Sequence, residues 1–284
     1  MRKTYTTCLS LLATGAIFCS GALAEDIIYN PYHDVGYVKP YNWQNAQGLC
    51  CDGVYYYFAG HHDRTNEDAD IHKIRVFDNV EVAVFEKKGP MHSAELLWFK
   101  PYDTLLGCSG GNDRKPFVWE LSKDDGEALN KWDFEGVGEN GGALIAWIKE
   151  DDIYLFTSSK DGGRIAFTHV TLKEDGKYAD HGTWYYSQTH LGVPQGLDYR
   201  DGFLYYLADA GKTINDNPHA IYKIKLEDDA DKTVTVLEEY RVDLPVETEG
   251  FSIAPDGSVY FGTAEEKIYK LESKYDELVD YRKK

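Results

Sequence analysis

Apolar and polar positions along this chain recur in a fixed order. A three-residue phrase opens each round: Gln47-Gly48-Leu49, Ala94-Glu95-Leu96, Gly142-Ala143-Leu144, Gln195-Gly196-Leu197 and Glu249-Gly250-Phe251. A short apolar run follows each phrase, then a turn carrying Asp, then a second apolar run. The anchoring apolar residues lie 47, 48, 53 and 54 positions apart. A near-constant period of this size marks one supersecondary unit copied along the chain. The units are rich in Tyr, Val, Ile and Thr, which suit pleated, half-buried strands. The fourth copy is the clearest. It predicts strands over 196–199, 203–208, 220–226 and 233–242, with Asp201-Gly202 as a hairpin turn. The other copies repeat this plan, and the fifth takes its fourth strand from 278–281. Residues 26–30 have strand character and are expected to pair with the last unit, closing a ring and covering an edge that would otherwise invite aggregation. The expected fold is all-β, a five-bladed β-propeller of four-stranded antiparallel blades.

The segment Gly250-Phe251-Ser252-Ile253-Ala254-Pro255-Asp256-Gly257-Ser258-Val259-Tyr260-Phe261-Gly262 resembles a blade of the broad propeller group that includes gluconolactonase-like and strictosidine-synthase-like proteins. Gln195-Gly196-Leu197-Asp198-Tyr199-Arg200-Asp201-Gly202 is similar. The resemblance covers all five repeats and implies fold rather than activity. It also implies a divalent cation, such as calcium, held in the central channel by acidic and amide side chains of the inner strands.

The chain opens with Arg2 and Lys3, an apolar stretch over 9–23, and Ala22-Leu23-Ala24, a small-residue cleavage pattern. Residues 1–24 are therefore expected to be a signal peptide and 25–284 a single propeller domain, placed in the periplasm or secreted. No later apolar run approaches the length of a membrane helix. Removing Arg2 and Lys3 leaves 28 basic against 48 acidic residues, a net charge of −20. Such a surface repels phosphate backbones and argues against nucleic acid as a partner. Three cysteines, Cys50, Cys51 and Cys108, follow the signal, and an oxidising compartment predicts one disulfide among them.

In an up-and-down blade, the start of strand one and the loop after strand two share an edge. That edge collects the polar inventory. The inner ring is Gln47, Glu95, Asn140, Gln195 and Glu249. Oxygen donors converging on an axis suit a hard cation, with Glu95 and Glu249 as its carboxylates. A hydrated polar channel explains the same ring. His61-His62-Asp63 and His92 add titratable groups, and an imidazole beside a carboxylate can move protons. An exposed polar loop accounts for the His61-His62 pair equally well. Arg114 is placed to meet an oxyanion, and Trp43 to wall a ligand. The catalytic candidates are His92, Glu95, Glu249 and His62. Most of the 22 Tyr and 6 Trp are expected to pack between blades.

Gly107-Cys108-Ser109-Gly110-Gly111 has G-x-S-x-G spacing, but it follows a strand and leads into a loop rather than a helix, which makes Ser109 a weak nucleophile candidate. Phosphate-loop and H-E-x-x-H motifs are absent from the sequence. Three readings stay open. One is a hydrolase or lyase for a small molecule or glycan. The second is a binding module, either lectin-like or docking an extracytoplasmic protein. The third is a structural or envelope-associated role with no small ligand.

Overall fold

The computed structural model describes residues 28–39, 46–60, 69–89, 95–108, 117–134, 140–158, 165–188, 191–209 and 219–283, excluding the side chains of 140–143 and 158. These residues form five four-stranded antiparallel sheets. Strand β1 (Tyr32–Asp34) comes first in the chain. Blade one is β2 (Leu49–Cys51), β3 (Tyr55–Gly60), β4 (Ala69–Arg75) and β5 (Glu81–Gly89). Blade two is β6 (Glu95–Phe99), β7 (Thr104–Cys108), β8 (Phe117–Leu121) and β9 (Ala128–Asp133). Blade three is β10 (Asn140–Lys149), β11 (Asp152–Ser158), β12 (Ile165–Leu172) and β13 (Tyr178–Tyr185). Blade four is β14 (Val193–Arg200), β15 (Phe203–Asp209), β16 (His219–Leu226) and β17 (Val234–Val242). Blade five is β18 (Thr248–Ile253), β19 (Ser258–Thr263) and β20 (Ile268–Lys274), completed by β1. The innermost strands β2, β6, β10, β14 and β18 touch one another in ring order. The molecule is a five-bladed β-propeller. Among the described residues no helix is long and apolar enough to cross a membrane.

Ring closure follows the expected logic with a shift in register. β1 pairs with β20 through Tyr32↔Leu271 and Asp34↔Tyr269. Residues 278–281, expected as the last blade's fourth strand, are not a strand. The N-terminal strand already occupies that edge. The tail instead caps the outer rim, where Asn30 Nδ2 donates to the Val279 carbonyl at 3.2 Å and Tyr281 N to the Glu239 carbonyl at 3.0 Å.

Each blade is apolar on both faces, and one apolar cluster fills each of the five junctions. Tyr56, Tyr57, Tyr205, Tyr206 and Tyr240 are among the largest fully buried side chains, so the tyrosines do serve as inter-blade filling. The same alternation corrects the expected disulfide. Cys50, Cys51 and Cys108 are free and buried. Cys51 packs toward blade five, Cys50 toward blade two, and Cys108 through the far side of blade two toward blade three. Neighbouring residues of a strand point to opposite faces, and a whole sheet separates Cys50 from Cys108.

The repeat phrase has a steric reason. A Cβ at Gly196 would sit 2.4 Å from the Phe251 Cβ of the next blade. A Cβ at Gly250 would meet Leu49 N at 2.6 Å, at a φ of +149°. Inner strands crowd toward the axis here, and only small residues let the blades close. Blade two departs from this rule with Glu95.

Candidate functional site

The upper edge of blade four carries the densest buried polar set. Asp209 ends β15 and His219 begins β16, and the two are direct cross-strand partners. Their side chains therefore share one face, which meets blade five at Thr248, the first residue of β18. His219 Nδ1 bonds to Asp209 Oδ1. Thr248 Oγ1 donates to the same oxygen at 2.9 Å, and Gln195 Nε2 donates to Asp209 Oδ2 at 3.0 Å. Asp209, His219 and Thr248 are fully buried, and Gln195 nearly so. A carboxylate accepts only, so it places the Nδ1 proton on His219 and leaves Nε2 as the free ring nitrogen. That Nε2 is buried and has no hydrogen-bond partner among the described residues.

Two glutamates extend the set. Burial raises Glu247 above the usual carboxylate range, the nearby Asp209 raises it further, and a bond from Gln195 opposes both. Burial pushes Glu249 well above that range, with Glu247 and Asp209 adding to the rise and Gln47 hydrogen-bonding against it. The arrangement sets two carboxyls of raised proton affinity close to the Asp209–His219 pair. Environments that hold acid and base apart in this way are what proton-transfer chemistry requires.

The expected residues divide into three groups. Gln47, Gln195 and Glu249 do come together at this upper end, joined through Glu247 and Asp209. Glu95 lies elsewhere. It is fully buried and reaches across the axis, where its Oε2 accepts from Leu197 N of blade four at 2.7 Å. Burial raises its carboxyl well above the usual range, against the bond from Leu197, and Oε1 has no partner. The backbone of Asn140 opens β10, opposite Ser158. His61, His62, Asp63, His92, Arg114 and Trp43 lie outside the described residues.

The sequence reading places Asp209 after the second strand and His219 at the start of the third, both toward this face, but selects neither as a site residue. The available signal was their place on either side of one loop, as the last residue of strand two and the first of strand three. Hairpin pairing makes such residues neighbours.

An axial calcium fits these residues poorly. Both Asp209 oxygens and Glu95 Oε2 already face protein N–H or O–H donors. Among the described residues, neither Glu95 nor Glu249 belongs to a set of three His, Cys, Asp or Glu ligands within reach of one ion.

Two cavities lie toward the opposite end. One, of about 110 Å³, occupies the axis between Trp98, Trp147, Asp198, Arg200 and Ser252. The second is a groove of about 510 Å³ between blades two and three, lined by Phe99, Tyr102, Glu120, Asn130, Trp132 and Asp151 among others. Burial raises the Glu120 carboxyl, which also accepts from Thr104 Oγ1 at 2.9 Å.

No family model matches the chain, and no curated protein matches its sequence. Solved structures match its fold. A GH43 β-1,3-galactosidase is 11% identical with a TM-score of 0.57, over 85% of this chain and 59% of that one. An exo-β-1,3-galactanase from Clostridium thermocellum is 12% identical with a TM-score of 0.52, over 78% of this chain and 57% of that one. A streptogramin B lyase structure is 16% identical with a TM-score of 0.46, over 85% and 97%. The chain thus spans less than two thirds of the galactosidase and galactanase chains. At these identities the likeness concerns the fold.

Proposed function

We propose that this is an exported hydrolase or lyase acting on a small molecule or glycan at the upper edge of blades four and five. The observation that carries the reading is the buried Asp209–His219 pair, with His219 Nε2 unpartnered among the described residues, Glu247 near both members and Glu249 near Glu247 and Asp209. In this reading His219 Nε2 takes a proton from water or from the substrate. Asp209 fixes the ring and stabilises the imidazolium as it forms. Glu249, whose carboxyl burial and the neighbouring Glu247 and Asp209 push well above its usual range, returns a proton to the leaving oxygen. A base and an acid on one face serve either water attack or elimination. Gln47 and Gln195 orient the carboxyl groups. The N-terminal pattern of residues 1–24 supports a periplasmic or secreted location.

The test is a turnover screen over β-galactans, other neutral glycans and lactones. The galactanase and galactosidase likenesses serve only to order that screen. His219→Gln should lower kcat about 10²–10⁴-fold with KM little changed, the usual scale for losing a general base. Wild-type activity should fall as pH rises through the raised Glu249 range, because the acid then loses its proton. In Glu249→Gln that alkaline limb should disappear along with most of the rate. A substrate turned over equally by folded His219→Gln would overturn the proposal.

The groove between blades two and three favours one alternative, a glycan-binding module. Its size lies in the ordinary range for ligand sites, and it offers Tyr102 beside carboxylates. A glycan bound equally by His219→Gln but lost by Tyr102→Ala would move the assignment there.

A further inference from the structure

A separate His/Asp cluster lies at the opposite edge, on blade three. Asp152 is the first residue of β11, His169 lies in β12 and His181 in β13, so three adjacent strands each supply one side chain. The register explains how they meet. Thr168 pairs with Thr183 and Val170 with Asp180, which leaves His169 facing both His181 and Gly182. Two residues opposite one make a bulge, a device that re-aims a side chain. Gly182 takes a φ of +110°, and its N–H bonds to Asp180 Oδ1 at 2.7 Å. The His169 and His181 ring centroids lie 4.6 Å apart.

One nitrogen of each imidazole and one oxygen of Asp152 lie within 4.8 Å of one another. His169 Nε2 is 3.4 Å from Asp152 Oδ2. That is long for a hydrogen bond, whose N···O mode is about 2.9 Å, and this Nε2 is buried without a hydrogen-bond partner among the described residues. It is close to the donor–donor edge, roughly 3.3–3.4 Å, of a tetrahedron whose ligands sit about 2.0–2.1 Å from zinc. Thr171 Oγ1 bonds to Asp152 Oδ1 and lies 2.7 Å from His181 Nε2, so one hydroxyl steadies two of the three side chains. Partners of this kind orient metal ligands. His181 is exposed and Asp152 and His169 are part-exposed, which leaves a path from solvent.

We propose that Asp152, His169 and His181 form a site for a first-row transition-metal cation of the zinc type, with a fourth position open to water or a ligand. Two imidazoles with one carboxylate select such cations over calcium or magnesium, which prefer all-oxygen shells. This site is independent of the proton-transfer cluster on blade four. A bound cation would lock the outer strands of blade three together.

The test uses the untagged full chain, stripped with chelator and titrated with Co²⁺ and then Zn²⁺. Wild type should bind one equivalent of Co²⁺ with the visible bands of a tetrahedral N/O site, and Zn²⁺ should displace it. His181→Ala and His169→Ala should each weaken Zn²⁺ binding at least about a hundredfold, while His33→Ala, at an exposed histidine on β1, should leave it unchanged. His181 is exposed, so its variant keeps the test decisive should His169→Ala fold poorly. Zn²⁺ should raise the melting temperature of wild type but not of His181→Ala. Absence of saturable Zn²⁺ binding in wild type would overturn the proposal, as would undiminished affinity in folded His181→Ala.

Discussion

At the upper edge of blade four, one imidazole and one carboxylate are buried, and three donors converge on that carboxylate. At the lower edge of blade three, the same residue types are part-exposed, and two imidazoles share one carboxylate. Burial separates the two. A buried pair must satisfy itself internally, because a stranded charge in the interior is costly. The Asp209 set does so with His219, Gln195 and Thr248, and it leaves one nitrogen over for chemistry. The Asp152 set is only part-buried and its His181 is exposed, so water meets part of its hydrogen-bonding need. The first arrangement suits the proposed proton transfer and the second the proposed cation capture.

The largest effect should come from deleting each carboxylate. Asp209→Ala strands three buried donors, and breaking a buried charged pair in this way costs about 3–5 kcal/mol. For a chain of this size that is a melting-point drop of roughly 10 °C. Asp152→Ala should cost less than about 1 kcal/mol, since water replaces what it supplied. Urea denaturation of both variants without metal checks the contrast. Equal losses would show that the difference in burial does not control how the two clusters are held.

Glu95 sharpens the comparison because it is more deeply enclosed than Asp152 and has fewer partners than Asp209. Its carboxyl is raised in the folded chain above the ordinary 4.5, with burial as the main cause. The native state therefore holds this proton more tightly than the unfolded chain does. Its contribution to stability is fully present below the unfolded value and is lost as pH rises through the folded one. Glu95→Gln keeps an acceptor for Leu197 N and removes the titration. It should unfold at higher urea than wild type at pH 9, with the advantage gone near pH 4. Glu95→Ala should instead lose about 2–4 kcal/mol, because it leaves an unpaired N–H and an empty space on the axis. A Gln variant less stable than wild type at pH 9 would mean that the Glu95 charge is stabilised there.

Much of this architecture was legible in the sequence, because strand-one anchors recur wherever an inner strand must approach the axis. Gly196 and Gly250 are small for that reason, and the phrase they head is a direct imprint of blade-to-blade contact. Closure by an N-terminal strand was legible in kind but misplaced by a few residues, since 26–30 and 32–34 have similar strand character. The disulfide expectation counted cysteines without asking which inter-blade junction each one faces. Gln47, Gln195 and Glu249 were found because they stand at the repeat phrase itself. Asp209 and His219 needed hairpin pairing as well as position. Asp152, His169 and His181 were out of reach, because a bulge brings the last of them into place and bulges leave little trace in one sequence.

The smallest effect, and the finest discrimination, comes from making one substitution at both clusters. Thr248 donates to Asp209, and Thr171 bonds to Asp152 and His181. Valine has the shape of threonine without the hydroxyl. Thr248→Val removes one of three donors from a fully buried carboxylate and should cost about 1–2 kcal/mol, the price of one buried hydrogen bond left unmade. Thr171→Val acts where water has access, so its stability cost should stay within about 0.5 kcal/mol. It should nevertheless weaken Zn²⁺ binding about 10–100-fold, because the hydroxyl orients two ligands. The same lost hydroxyl would thus be read as stability in one cluster and as affinity in the other. Thermal melts without metal and Zn²⁺ titrations of the two variants separate these outcomes. A Thr171→Val chain that loses stability like Thr248→Val, yet binds Zn²⁺ like wild type, would show the lower cluster to be a structural hydrogen-bond set.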